Sequence, residues 1–403
     1  MKFRKFGQVA LIAAASLGLG LGVTACGPSN TIDFLYVTSS KQNPGQINVY
    51  SVDSEAGSLI QLQDSPYSSG GRNPVADVTS PNGKNLYVIN HDDNTVVEFA
   101  IGTDGKLYPQ QTCNTPGSYP MQMAINPAGT YLYIVETFQP NFNINLPGPG
   151  ALVIFPINAN GGLGATSSLC TPVANGANAF FPVGNNPVSV NVLQSGNFVY
   201  VVNENDANVE ALQVTSNGGV SAVGTYKVGV SPNAVATDPT NRFLYVTDGA
   251  SNQVVGFLIQ TNGSLLPMQL PFSTGNLPDA IAADARGQYV VVANYNSNTV
   301  NVYAINQSTG NLAANASTPT YALGGAGPTC VLIDPAIGRY IYTSNFLDNT
   351  VTGIYLDPFS GSLSGTQNSP FRAAGQPTCA AAITHGNHSI QHVQATWFGL
   401  FGF

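Results

Sequence analysis

The sequence predicts an all-β fold, a seven-bladed β-propeller of four-stranded antiparallel blades, and three repeated features predict it. A strand related to Leu-Tyr-Val occurs seven times, a Gly-x-Leu or Gly-x-Val turn follows every copy, and seven strands open with a proline. The centres of successive Leu-Tyr-Val strands mostly lie 45 to 51 residues apart. A period of this length is typical of propeller blades, each of which buries both faces against its neighbours.

The clearest copy of the repeat spans residues 278–312. Its segments are, in order, an apolar run from Pro278, a turn at 284–287, an extended run at 289–293, a polar loop at 294–298, an alternating strand at 299–305 and a turn at 309–312. Alternation of apolar and polar side chains indicates a half-buried strand, and the turns contain the residues that turns favour. Each unit is therefore predicted to be one antiparallel meander.

The glycine of each repeated turn is predicted to have positive φ, because it joins two outer strands and has no Cβ. The strand centres are Tyr36, Tyr87, Tyr133, Tyr200, Tyr245, Val291 and Tyr342. The glycines that follow them are Gly57, Gly105, Gly161, Gly218, Gly263, Gly310 and Gly361.

The prolines predict how the ring closes. They are Pro74, Pro120, Pro187, Pro232, Pro278, Pro328 and Pro377. The first unit thus begins at its second strand and the last unit ends after its first. We therefore expect residues 377–384 to supply the inner strand of the blade whose other strands lie between residues 34 and 65, so that N- and C-terminal strands pair.

The chain begins with the features of an exported lipoprotein. Basic residues precede an apolar stretch at 9–23, which is short for a transmembrane helix and is followed by small residues. Val23-Thr24-Ala25-Cys26 resembles a lipoprotein box, which predicts lipidation of Cys26, and Gly27 in the next position implies outer-membrane sorting. An ordinary signal peptide is the alternative. The predicted divisions are a signal peptide at 1–26, a linker at 27–33, the propeller at 34–384 and a tail at 385–403.

Composition agrees with export and excludes one class of partner. Only 8% of the residues are charged, and the chain without residues 1–26 keeps nine basic and 20 acidic residues. Nucleic-acid binding needs clustered Lys and Arg, so we expect no nucleic-acid partner. The mature protein is predicted to be a monomer in the cell envelope, on the periplasmic or outer-membrane side, and to be held to the membrane by its lipid.

Four cysteines remain after the leader: Cys113, Cys170, Cys330 and Cys379. Cys330 and Cys379 each lie two residues after an inner-strand proline in neighbouring units, while Cys113 and Cys170 are expected after the fourth strands of successive blades. A disulfide within either pair is compatible with export, and burial as small apolar side chains is the alternative. No CxxC motif or nearby histidine indicates a metal or redox centre.

One insertion is evident. Residues 136–150 replace a loop of four or five residues in the other units, and the connection at 171–186 is also long. Both loops are predicted on the face of the ring that usually binds ligands. Drift in a surface loop is the alternative explanation, because lengthening such a loop costs little.

The segments 65–67, 83–90 and 369–377 resemble the seven-bladed propeller lactonase family, which includes the propeller type of 6-phosphogluconolactonase. The resemblance covers residues 34 to 384 and rests on strand and turn residues. It implies hydrolysis of a sugar-type lactone, and export implies a lactone other than the cytosolic 6-phosphogluconate precursor. No cofactor and no metal are expected, since the Cys, His or Trp pattern of metal and cofactor propellers is missing.

Lactone hydrolysis requires a base to activate water and a donor for the oxyanion, and a phosphorylated substrate would add a need for Arg or Lys. Loops on the predicted ligand face supply the candidates. The catalytic candidates are His91, Glu136 and Glu204, and the substrate-binding candidates are Arg72, Arg372, Asp92 and Asp248. A solvated turn or a surface ion pair is the alternative for several of them. The alternative function is a non-catalytic, surface-anchored propeller that binds a protein or small ligand.

Overall fold

The computed structural model describes residues 30–386, which form seven antiparallel blades, and this confirms the predicted propeller. The closing blade begins with β1 (Thr31–Ser39), β2 (Gln46–Asp53), β3 (Leu59–Gln61) and β4 (Tyr67–Ser68). Blade 1 contains β5 (Pro74–Thr79), β6 (Asn85–Asn90), the 3₁₀ turn His91–Asp93, β7 (Thr95–Ile101) and β8 (Leu107–Asn114). Blade 2 contains β9 (Ser118–Ile125), β10 (Tyr131–Phe138), β11 (Ala151–Pro156), β12 (Gly164–Ala165), β13 (Ser168–Leu169) and β14 (Phe181–Pro182).

The next four blades follow the same order from the channel outwards. Blade 3 contains β15 (Pro187–Val192), β16 (Phe198–Asn203), β17 (Asn208–Val214) and β18 (Val220–Lys227). Blade 4 contains β19 (Pro232–Thr237), β20 (Phe243–Asp248), β21 (Gln253–Ile259), β22 (Leu265–Pro267) and β23 (Phe272–Ser273). Blade 5 contains β24 (Pro278–Ala283), β25 (Tyr289–Asn294), β26 (Thr299–Ile305), β27 (Leu312–Ala314) and β28 (Thr320–Ala322). Blade 6 contains β29 (Pro328–Ile333), β30 (Tyr340–Asn345), β31 (Thr350–Leu356), β32 (Leu363–Gly365) and β33 (Phe371–Arg372).

The last strand, β34 (Pro377–Thr384), closes the ring as predicted. It pairs antiparallel with β1, with Phe34 opposite Ile383 and Val37 opposite Ala380, and so becomes the innermost strand of the closing blade. The inner strands of neighbouring blades contact each other all the way round, from β34 to β5 and onward to β29 and back to β34. The ring therefore depends on contacts between the two ends of the described chain.

The apolar core is divided among the seven blade interfaces. Each interface has its own cluster of buried side chains; for example, Tyr200 and Val209 of blade 3 pack with Leu244 and Phe257 of blade 4. This is the burial expected when small sheets cover both faces against their neighbours. None of the helical segments within residues 30–386 has the length and apolar character needed to cross a membrane.

The tyrosine of the Leu-Tyr-Val strand contacts the turn glycine of a neighbouring unit across the blade interface. The Tyr36 hydroxyl donates to the Gly105 carbonyl, and Tyr87 donates in the same way to Gly161. Tyr200, Tyr245 and Tyr342 do the same with Gly263, Gly310 and Gly57. All seven turn glycines have the predicted positive φ, between 61° and 94°. A Cβ on Gly105 would lie 2.4 Å from the Phe34 ring, so close packing of blades also requires glycine there.

Blade 2 departs from the regular pattern after its Gly161 turn. Instead of continuing into a fourth strand, the chain forms the β12–β13 hairpin, and the fourth strand is the short β14, which pairs with β11. Cys113 and Cys170 form a disulfide with a Cα–Cα distance of 5.1 Å. Cys113 lies within β8 rather than after it, and Cys170 follows β13, so the disulfide joins blade 1 to the hairpin. Cys26 and residues 387–403 lie outside the described part of the chain.

Candidate functional site

A cavity of about 810 Å³ lies at the centre of the ring and is lined mainly by the seven inner strands. The residue that follows each inner-strand proline lines this cavity. These residues are Val75, Met121, Val188, Asn233, Asp279, Thr329 and Thr378. They form an apolar arc on blades 1 to 3 and a polar arc on blades 4 to 6 and the closing blade.

A β-bulge turns these side chains toward the channel. In blade 5, Pro278 pairs with Asn294 and Ala280 pairs with Ala293, so Asp279 has no partner in the ladder. The same register shift follows the inner-strand proline in every blade. Bulges of this kind re-aim side chains beside functional sites. The position after the proline can therefore carry site chemistry without taking part in strand pairing.

The richest group of polar side chains lies where the inner strands of blades 3 to 5 begin. We call it the mouth cluster, and its members are Asn186, Glu204, Ser231, Asn233 and Asp279. The Ser231 hydroxyl donates to Glu204 Oε1 at 2.7 Å, and Asn186 Nδ2 donates to Glu204 Oε2 at 2.9 Å. Asn233 Nδ2 donates to Asp279 Oδ1 at 3.2 Å. Both carboxyl groups are thus held in place by neighbouring side chains and line the cavity.

The charge of Glu204 acts on the Asp279 carboxyl. Burial raises the pKa of Asp279, the hydrogen bond from Asn233 opposes this rise, and the negative charge of Glu204 adds to it. A pair of carboxyls whose environments differ is the arrangement that separates an acid from a base at one site. The mouth cluster can therefore supply both a proton acceptor and a proton donor.

Glu136 and Asp248, two of the sequence candidates, lie outside the cavity. Each pairs with the inner-strand proline of its blade, and the residue at this position is buried and polar in every blade. The Gly117 backbone N–H donates to Glu136 Oε2 at 2.8 Å, and the Val230 and Ser231 N–H groups donate to Asp248. Burial raises the pKa of Glu136 to about 7, but the carboxyl faces a loop rather than the channel.

The remaining blade 1 candidates form a separate cluster on the rim of the ring. Arg72 Nε donates to Asp93 Oδ1 at 2.6 Å, and the Arg72 side chain is 52% exposed. His91 Nδ1 lies 2.7 Å from Asp92 Oδ1, and the His91 ring stacks on Tyr119 with centroids 4.8 Å apart. Burial alone would raise the pKa of Asp92, but hydrogen bonds from His91 and Asn73 outweigh it and lower the pKa. These residues do not line the cavity.

Arg372 is also remote from the channel. It lies in β33, opposite Thr350 of the third strand of blade 6, and is exposed. Of the seven candidates, the structure therefore brings only Glu204 to the cavity. Sequence reasoning missed Asp279 and Asn233, although the position after each proline could have identified them. Among residues 30–386, no group of three or more His, Cys, Asp or Glu side chains is arranged to hold a metal ion.

Comparisons with known proteins agree with this architecture. The family model described as "Lactonase, 7-bladed beta-propeller" matches residues 29–141 and 175–333, leaving out the irregular part of blade 2. A 6-phosphogluconolactonase from Pectobacterium carotovorum is 26% identical over 338 residues, covering 74% of this chain and 98% of the relative.

Two solved structures show how widely the fold is used. The periplasmic gluconolactonase of Pseudomonas aeruginosa superposes with a TM-score of 0.72 at 18% identity, covering 88% of this chain and 100% of that one. Hydrazine synthase from Kuenenia stuttgartiensis has a TM-score of 0.56 at 16% identity, covering 79% and 94%. Structural likeness at this identity concerns the fold alone. The family match covers most of the chain, which therefore belongs to the seven-bladed β-propeller lactonases.

Proposed function

We propose that the protein hydrolyses an uncharged sugar-type lactone at the mouth cluster, with Glu204 as the general base. The observation that carries this proposal is the position of Glu204. It is the one sequence candidate that lines the central cavity, and two side-chain hydrogen bonds orient it beside Asp279. Family membership supports the reaction type.

The proposed chemistry uses both carboxyls. Glu204 takes a proton from water while the water oxygen adds to the lactone carbonyl carbon. Asn233 and protonated Asp279 lie on the same side of the cavity and can donate hydrogen bonds to the developing oxyanion. The ring C–O bond then breaks, Asp279 protonates the departing ring oxygen, and the product is a hydroxy acid.

The charge of the cavity supports an uncharged substrate. Its lining includes the carboxyls of Asp77, Glu204 and Asp279, whereas Lys, Arg and His are missing from the lining residues. Phosphate recognition in proteins relies on charge-assisted hydrogen bonds from Arg or Lys. The two arginines proposed from the sequence lie outside the cavity. A phosphorylated lactone would therefore enter an acidic site with no counter-charge.

Substrate charge gives a direct test. We expect kcat/KM for glucono-1,5-lactone to exceed that for its 6-phosphate by at least about tenfold, because the phosphate meets carboxylates. Hydrolysis can be followed by acid release in a pH-stat. Placing a cation on the apolar arc, with Val188→Arg, should narrow the difference. A preference for the 6-phosphate would contradict the uncharged substrate, and no hydrolysis of any lactone in a panel would favour a non-catalytic binding role.

We also propose that the protein is exported and lipidated at Cys26. The lipoprotein box and the Cys113–Cys170 disulfide support export, since structural disulfides persist in oxidising compartments. The full chain should fractionate with membranes, and Cys26→Ser should release it or leave it unprocessed at a larger size. Membrane-bound Cys26→Ser protein of the same size as the wild type would contradict lipidation.

A further inference from the structure

A second group of reactive side chains lines the same cavity on the side opposite the mouth cluster. It consists of Asp77 on blade 1, Cys330 on blade 6 and Cys379 on the closing blade. Cys330 is only 8% exposed, whereas Cys379 is half-buried, and neither takes part in a disulfide. Proposed lactone hydrolysis uses none of the three.

The two cysteines lie on adjacent inner strands, β29 and β34, across a blade interface. The Ala380 backbone N–H, next to Cys379 in the chain, donates to Cys330 Sγ at 3.3 Å, and the two thiols interact with each other. The inner strands that carry them are further joined by the Thr329 hydroxyl, which donates to the Thr378 carbonyl at 2.8 Å. A short approach of the two sulfur atoms would therefore be enough to form a bond of about 2.05 Å.

Asp77 is placed to accept a proton from Cys379. The two residues line the cavity on the neighbouring inner strands β5 and β34, and the Asp77 carboxyl interacts electrostatically with the Cys379 thiol. Among residues 30–386 that carboxyl has no side-chain hydrogen-bond partner. The flanking inner strands, β34 and β9, contain no Asp, Glu, Lys, Arg or His. Cys379 is thus the group beside Asp77 with which a proton can be exchanged.

We propose that Cys330 and Cys379 form an oxidisable dithiol site that reacts with a small disulfide entering the channel, with Asp77 as the proton acceptor. The unequal exposure of the two thiols sets the order of events. Cys379, the more exposed of the two residues, reacts first, and Cys330 resolves the product.

The reaction is a pair of thiol–disulfide exchanges. Cys379 transfers its proton to the Asp77 carboxylate, its thiolate attacks one sulfur of the small disulfide, the S–S bond of that disulfide breaks, and the leaving thiolate takes the proton from Asp77. The Cys330 sulfur then attacks the Cys379 sulfur of the mixed disulfide, whose S–S bond breaks, and the second leaving thiolate takes up the proton that Cys330 loses. The two cysteines are thereby oxidised to the Cys330–Cys379 disulfide. The two electrons that they lose reduce the small disulfide to two thiols.

The burial of Asp77 and Cys379 supports Asp77 as the acceptor of the Cys379 proton. Burial raises the pKa of Asp77, and the Cys330 contact together with burial raises that of Cys379. A thiol with a raised pKa is a weak nucleophile unless a base removes its proton, and a carboxylate with a raised pKa is a better base.

The test treats the full chain with oxidised glutathione and maps its tryptic peptides without reduction. Residues 287–339 and 373–403 each lie between trypsin sites and contain one of the two cysteines. We expect these two peptides to become cross-linked and the melting temperature to rise by roughly 5 °C, because a loop of the folded ring becomes covalently closed. Two unlinked peptides after treatment would overturn the proposal.

Matched variants separate the roles. Cys330→Ser should stop the reaction at a glutathione adduct on Cys379, whereas Cys379→Ser should leave Cys330 unmodified. Asp77→Asn should slow cross-linking at least tenfold at neutral pH, an effect of the order seen for general bases, and its rate should recover as pH rises. Equal rates and equal pH profiles in Asp77→Asn and wild type would refute the proton acceptor, and rapid modification of Cys330 alone would refute the order of attack.

Discussion

Removal of residues 377–403 is expected to abolish cooperative folding of the propeller. The deleted segment includes β34, which pairs with β1 from Asp33 to Ser39 and contacts the inner strands of both neighbouring blades. Its loss would leave β1 with an open edge and expose the clusters that contain Ala380 and Ala381. Ladder hydrogen bonds worth about 1 kcal/mol each and the lost apolar burial together approach the roughly 5–15 kcal/mol that stabilises a folded protein.

A second truncation is the control for this prediction. A chain that ends at Gly386 keeps every strand of the ring, because β34 ends at Thr384. We expect it to melt in a single transition within about 3 °C of the full chain, while the shorter chain shows no such transition by circular dichroism. Similar melting curves for the two truncations would contradict closure by β34.

Glu204→Gln is expected to lower kcat for lactone hydrolysis by about 10²- to 10³-fold, the range for loss of a general base. The amide keeps the size of the side chain and can still bond to Ser231, so the melting temperature should change by less than about 2 °C. Burial raises the pKa of Asp279, and its proposed role requires the proton. On the alkaline side of the pH profile, wild-type activity should therefore fall as pH rises through that pKa.

Glu136→Gln is the matched control for Glu204→Gln. Glu136 is fully buried and accepts a hydrogen bond from the Gly117 N–H, so this change should affect stability rather than kcat. Rates measured by pH-stat on both variants, together with their melting curves, separate the two roles. A large fall in kcat for Glu136→Gln with none for Glu204→Gln would place the chemistry elsewhere.

The fold could be predicted because the residues that recur from unit to unit are those that hold one blade against the next. Tyr36 and Gly105 recur in their units because one blade donates a hydrogen bond to the next, and Pro377 indicated the closing strand because it matched six other prolines. Each of these signals is local; the glycine and the proline occur in all seven units and the tyrosine in six, with Val291 in the remaining unit. The irregular second blade was predicted only as longer loops, since the β12–β13 hairpin has no counterpart in the other units.

The site was only partly predictable, because loop position in a repeat does not fix side-chain direction. Glu204 and Asp248 both lie near the end of a second strand, yet a difference of one position sends Glu204 to the channel and Asp248 to a buried loop. Arg372 was predicted, with Arg72, in a loop on the ligand face but lies on an outer strand. Asp279 was not predicted because the bulge that turns it inward forms between paired strands, so the sequence marks its position after the proline but does not show that this position faces the channel.

The bulge after each inner-strand proline also bears on how such rings diversify. A side chain without a ladder partner can be exchanged with little effect on strand register, so mutation there changes channel chemistry while the blade remains folded. Because the side chains at these seven positions around one cavity can vary independently, many different binding surfaces can form on the same seven blades. A new substrate specificity can then arise by single substitutions, each of which leaves a stably folded protein. Proteins as different in chemistry as a gluconolactonase and a hydrazine synthase can accordingly share this architecture.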